Sequence, residues 1–193
     1  YKQSFFVDYD LGNYSDDYIG CDTINNVAYV YNGDDLDESS GGNNGYGIDP
    51  PCQGLTSLSH KMESFGYFTS ASAYPFSDPS NDAEMWNTQN ALFANGTPWV
   101  QGGSGMPGSP GSTAIPTNYM YPGNPNDPAS WTEGLSDGLV IPNPPGDRRI
   151  VMTIAEDEFL AGSSICSDYA FIYDKSSDRL GNVQEVINIA GAL

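Results

Sequence analysis

Five aspartates, Asp8, Asp10, Asp16, Asp17 and Asp22, fall within the fifteen residues "DYDLGNYSDDYIGCD", with no base among them. Two unit charges ~4 Å apart repel by about 1 kcal/mol in water, and by several times more near a low-dielectric surface. Either these carboxylates stay solvated and bond nearby backbone N–H groups, or something positive sits among them. Calcium suits the second case, because it takes roughly six to eight oxygen ligands in flexible geometry. Asp8, Asp10 and Gly12 match the start of a calcium loop: alternating acids, then a glycine for the bend. The rest is no EF-hand. Ile19 stands where the closing acid belongs, and Gly12 comes one place early. The expectation is a calcium ion held by Asp8 or Asp10 together with Asp16, Asp17 or Asp22. A second acidic run, Asp34, Asp35, Asp37 and Glu38, is close enough in sequence to contribute.

Other residues offer competing chemistry. Trp99, Tyr119, Tyr121 and Trp131 are scattered through Gly/Pro-rich loops, where rings can stack on sugars or fold down as a cover. Paired carboxylates can hydrolyse glycosides, and Glu63 and Glu133 lie near aromatics; with 25 acids, pairs at any spacing arise by chance. His60 is the single histidine, so a Ser-His-Asp triad must use it. Ser104 has glycine neighbours, but Met106 breaks the nucleophile elbow G-x-S-x-G. "GSGMPG" (Gly103 to Gly108) matches a dinucleotide fingerprint, yet Pro107 and Pro110 occupy the place of the helix that must follow it. Arg148 and Arg149 are one third of the six basic residues. They open a strand-like run, and alternation sends them to opposite faces. An inward Arg needs an acid, which residues 8–22 or 34–38 can supply. Both arginines are therefore assigned structural roles.

These side chains need elements to hold them. "QSFFVDYD", "NNVAYVYNG", "CQGLTSLSHKMESFGYFTS", "RRIVMTIA" and "SDYAFIYD" read as strands, rich in β-branched and aromatic residues. Residues 8–22 and 32–51 read as acidic loops. One internal helix is predicted over about 80–94, capped by Asp78 or Ser80, with Met85, Trp86, Gln89, Leu92 and Phe93 on one face. Val183, Val186, Ile187 and Ala190 predict a short C-terminal helix that Asn182 caps. Residues 96–146 hold most prolines and glycines but also large rings, so they read as an ordered cover. The whole predicts one mainly-β domain over 1–193, with sandwich-like antiparallel sheets and long ordered loops.

Composition limits the partners. A net charge of −19 argues against nucleic acid and anionic membranes, both of which need clustered Lys and Arg. No apolar run approaches the ~18 residues of a membrane span. Cys21, Cys52 and Cys166 allow one bridge or three free thiols, and no CxxC zinc spacing occurs. An acidic, Lys-poor chain rich in Asn, Gly and Tyr reads as secreted. It begins at Tyr1 without Met, inside a strand-like run, which reads as processing or as a piece of a longer protein.

"VDYDLGNYSDDYIGCDTINNVAYVYNGD", "GYGIDPPCQGL", "NGTPWVQGGSG", "YMYPGNPNDPASW", "PPGDRR" and "SDYAFIYD" together resemble an uncharacterised domain of large secreted Bacteroidetes proteins. Such proteins typically end in a type IX secretion sorting domain, which this chain lacks. The resemblance covers nearly the whole chain and implies export to the outer cell surface or the medium. It carries over no catalytic residues. Asp22-Thr23-Ile24 resembles the short O-glycosylation signal of these bacteria, with Thr23 as the acceptor. The combined expectation is a non-enzymatic structural or adhesion module stabilised by calcium. Its partners would be other domains of the parent protein or cell-surface components. The alternatives are a glycan-binding module using the loop aromatics, or a carboxylate-dependent glycoside hydrolase.

Overall fold

Alternating aromatic and aliphatic side chains build most of the strands. The computed structural model describes residues 1–69, 73–134 and 143–193. In chain order its elements are β1 (Lys2–Asp8), β2 (Asp17–Asp22), β3 (Val27–Asn32), β4 (Leu36–Asp37), β5 (Gly47–Ile48), β6 (Cys52–Ser57), β7 (Met62–Thr69), α1 (Asp82–Gln89), β8 (Arg148–Ala155), β9 (Tyr169–Asp174) and α2 (Arg179–Ala192). One sheet has the order β1-β8-β7 and a second β2-β3-β6-β9; β4 and β5 form a small third sheet. Every strand pair is antiparallel. The fold is mainly β and sandwich-like, as the strand-rich sequence predicts.

The main core lies between the two larger sheets. Ile19, Ala28, Val30 and Leu55 from one meet Phe65, Ile150 and Met152 from the other, all fully buried. The outer face of the four-stranded sheet is covered by α2, whose Val183, Val186, Ile187 and Ala190 pack on Val27, Tyr29, Tyr31 and Ile172. That is the predicted helical face. Its cap differs: Asp178 accepts from the Gly181 N–H, and Asn182 is buried inside the helix, donating to the Pro50 carbonyl. Asp178→Ala should therefore lower stability by about 1 kcal/mol in chemical denaturation, the usual worth of a helix cap.

Residues 118–121 close one side of the sandwich. The Phe65 N–H donates to the Asn118 carbonyl and the Met120 N–H to the Phe65 carbonyl, while the Cys21 N–H donates to the Tyr121 carbonyl. The segment thus bridges edge strands β7 and β2. On the opposite side, Phe5 of β1 meets Tyr169 and Phe171 of β9, with ring centroids 4.7 and 5.7 Å apart.

Three local expectations are corrected. Half of the first acidic stretch is strand β2, because Tyr18, Ile19 and Cys21 are buried between its terminal aspartates. The 32–51 loop contains the β4-β5 pair. The internal helix spans only Asp82–Gln89 and is capped by Asn81, which accepts from the Glu84 N–H. Its presumed apolar face is not buried: Met85 and Trp86 are exposed, and Leu92 and Phe93 lie beyond its end. Of the 96–146 cover, residues 135–142 lie outside the described residues. No helix among the described residues is long and apolar enough to cross a membrane.

Candidate functional site

The acidic residues gather where β1 ends, β2 begins and β8 begins. Gly12 turns the chain with φ +66, and a Cβ there would lie 1.8 Å from Asp37 Oδ2. Asp37 is buried and accepts from the Asn13 N–H at 2.8 Å and the Tyr46 N–H at 2.7 Å. That contact pins the loop after β1 against β4 and β5. Pairing of β1 with β8 sets Asp8 opposite Arg149, which brings Asp147 alongside. One carboxylate oxygen each from Asp8, Asp10 and Asp147 lie within 4.8 Å of one another. Arg149 Nε donates to Asp8 at 3.1 Å, its guanidinium pairs with Asp78, and it stands 3.9 Å from Asp147. Partial burial and the charges of Asp8 and Asp147 raise the Asp10 carboxyl above its usual range, against the pull of Arg149.

The predicted metal set splits in this geometry. Asp8 and Asp10 join Asp147, a residue not among the expected ligands. Asp16 and Asp17 lie deeper. Asp17 is fully buried. Burial first, and then Asp16, Asp37 and Asp10, push its carboxyl up to about 9; burial likewise pushes Asp16 to about 6. Asp22 does not belong with them. It lies at the far end of β2 from Asp17, about 17 Å along the strand at ~3.4 Å per residue. There it accepts from the Ile24 and Asn25 N–H groups and shapes the β2-β3 turn. Thr23 is exposed in that turn.

Arg148 faces inward and Arg149 outward, as strand alternation requires. Arg149 reaches Asp8 of the opening stretch. The acid facing Arg148 is instead Glu133, 2.8 Å away, with the two side chains 3% and 0% exposed. The other Glu133 oxygen accepts the Ile19 N–H of edge strand β2 at 2.8 Å, and Asn143 donates to the first at 2.7 Å. Arg148 also donates to Thr69 and to the Pro144 carbonyl, and lies over the Tyr67 ring at 5.4 Å. Burial pushes the Glu133 carboxyl upward, and the adjacent guanidinium pulls it back. Nothing local in the sequence singles out Glu133 as this partner.

Among the loop aromatics, Trp99 is 3% exposed and Tyr121 0%. Neither offers a face to a sugar, which corrects their assignment as stacking residues. Tyr119 and Trp131 are half-buried; Tyr119 donates to the Met62 carbonyl, and Trp131 to the Gly103 carbonyl. Four rings of apolar area gain more by covering the core than by facing water. Exposed rings occur elsewhere: Tyr46 and Tyr173 sit 6.5 Å apart, with Phe171 also on edge strand β9. Alternation within "YAFIYD" carried that signal.

The hydrolase pair does not assemble as a free couple of acids. Glu63 is exposed on β7, while Glu133 is enclosed and saturated by donors. His60 lies 2.8 Å from Glu156 and within 3.4 Å of the Cys166 carbonyl, a bridge between loops. All three cysteines are free thiols. No family model, curated protein or solved structure matches this chain.

Proposed function

We propose that this chain is a non-enzymatic extracellular module, structural or adhesive, of a secreted or cell-surface bacterial protein, and that calcium stabilises it. The observation carrying the reading is the convergence of Asp8, Asp10 and Asp147 oxygens within 4.8 Å. They come from segments far apart in sequence, so an ion there ties the end of β1 to the start of β8. Arg149, which is shared with Asp78, offsets part of the charge, and a divalent cation offsets more of it. Export and the bacterial surface rest on the sequence resemblance.

Support for a non-catalytic role comes from the groups that chemistry would need. Glu133 is committed to Arg148, Asn143 and the β2 backbone, and Trp99 and Tyr121 are packed inside. The glycan-binding alternative loses Trp99 and Tyr121 for the same reason. Edge strand β9, with Phe171 and Tyr173 exposed beside Tyr46, suits contact with another domain of a parent protein or a cell-surface component.

Calcium should raise the melting temperature, and EDTA should reverse the rise. At free calcium 100-fold above Kd the stabilisation is about 2.7 kcal/mol by mass action. Asp10→Asn should reduce the shift. A melting curve indifferent to both calcium and EDTA refutes the role of the ion.

A further inference from the structure

Six buried side-chain atoms lack a hydrogen-bond partner among the described residues, and every one is an oxygen. Three belong to adjoining positions: Asp16 Oδ1, Asp17 Oδ1 and Asn32 Oδ1. Asp17 and Asn32 face each other directly across the β2-β3 ladder. Side chains at opposed positions share a face, with Cβ atoms roughly 4.5–5.5 Å apart. Both residues are 0% exposed. Asn32 Nδ2 is committed to the Asp34 carbonyl at 3.1 Å, which turns Oδ1 the other way. Asp17 Oδ2 receives only a long bond, 3.3 Å, from the Leu11 N–H. Asp16 Oδ2 accepts from Asn13, leaving Oδ1 alone.

The deficit is of positive partners. Acids bear on both carboxylates: Asp16, Asp37 and Asp10 on Asp17, and Asp37, Glu38 and Asp34 on Asp16. Arg148 pairs with Glu133 and Arg149 with Asp8 and Asp78, while Arg179 pairs with Asp35 and donates to the Asn32 backbone carbonyl at 3.1 Å; none of them reaches the three unpartnered side-chain oxygens. Asp37 is occupied by two backbone N–H groups and adds field without a free oxygen. Leaving buried polar atoms unpaired is costly, so such a set is retained where something satisfies it. A proton on Asp17 serves at most two of the three oxygens. A cation bound between these positions would serve all three.

We infer that Asp16, Asp17 and Asn32 form a second, buried calcium site, distinct from the Asp8, Asp10 and Asp147 cluster at the surface. Two carboxylates and a carboxamide oxygen are hard ligands of the kind calcium takes, and they match a divalent charge. The site lies where β2 starts and β3 ends, so the ion fixes the register of the sheet edge. The surface cluster belongs to the β1-β8 edge.

Isothermal titration of the chelator-treated chain with calcium chloride separates the two sites. The wild type is expected to bind two equivalents. Asp17→Asn, isosteric and uncharged, should remove one and leave the other; the double variant Asp8→Asn with Asp10→Asn should remove only the other. Asn32→Asp adds a ligand charge. It should lower the melting temperature without calcium and enlarge the calcium-dependent rise, which a purely structural asparagine would not do. It also carries the test if Asp17→Asn fails to fold. No calcium bound by the wild type, a stoichiometry that Asp17→Asn leaves unchanged, or an Asn32→Asp loss that calcium does not recover would each overturn the second site. A single wild-type equivalent that Asp17→Asn removes would uphold the second site and count against the surface cluster.

Discussion

Arg148→Met should destabilise the protein by about 3–5 kcal/mol, because it leaves a buried carboxylate without its counter-charge. Glu133 is wholly enclosed, and Arg148 nearly so. The pair joins three elements: β8 through Arg148, edge strand β2 through the Ile19 N–H, and β7 through Thr69. Losing the guanidinium therefore also frees the Pro144 carbonyl and the Thr69 hydroxyl. Adding Glu133→Gln to Arg148→Met should recover part of the loss. Gln keeps an acceptor for the Ile19 N–H while removing the charge. Urea denaturation of the four proteins in this cycle gives the coupling. If the two single losses simply add, the pair is not the cross-link described. An exposed pair such as Arg179 with Asp35, whose acid is 81% exposed, is expected to contribute under 1 kcal/mol.

Trp99→Ala should cost about 3–5 kcal/mol, the range for removing a large aromatic from a core. The ring lies against the backbone of Gly66 in β7, where an added Cβ would stand 2.2 Å from its Cη2 atom. It also meets Phe93 edge-on, at 6.4 Å between centroids. Gly66→Ala should consequently be severe too, about 1–3 kcal/mol or more, since strand backbone and a buried indole have little room to give. The converse substitution, Trp86→Ala on the exposed face of α1, should fall within ~0.5 kcal/mol. Thermal or chemical denaturation reads all three. A stable Trp99→Ala protein with altered sugar binding would reverse the assignment of this ring to the core.

The sequence alone carried much of the secondary structure. "RRIVMTIA" and "NNVAYVYNG" show strand chemistry within a few residues, and they became β8 and β3. Val183, Val186, Ile187 and Ala190 marked the buried face of α2 because helical spacing is itself a local property. Two-residue alternation likewise sent Arg148 inward and Arg149 outward. The internal helix was legible but its face was not: Met85 and Trp86 look apolar, yet both are exposed.

Partners were decided by tertiary structure. Arg148 sits fifteen residues from Glu133, and nothing in the residue types between them marks the two as partners. Asp8 meets Asp147 because β1 and β8, remote from each other along the chain, pair antiparallel. Asp16 and Asp17 are near Asp8 in sequence but stand at the start of a different strand in a different sheet, while β2 carries Asp22 away to its far end. Charge density could therefore be read from the residues, because it is a sum over neighbours in sequence. Which carboxylates converge could not, because strand pairing brings together residues that are remote along the chain and separates those that are adjacent.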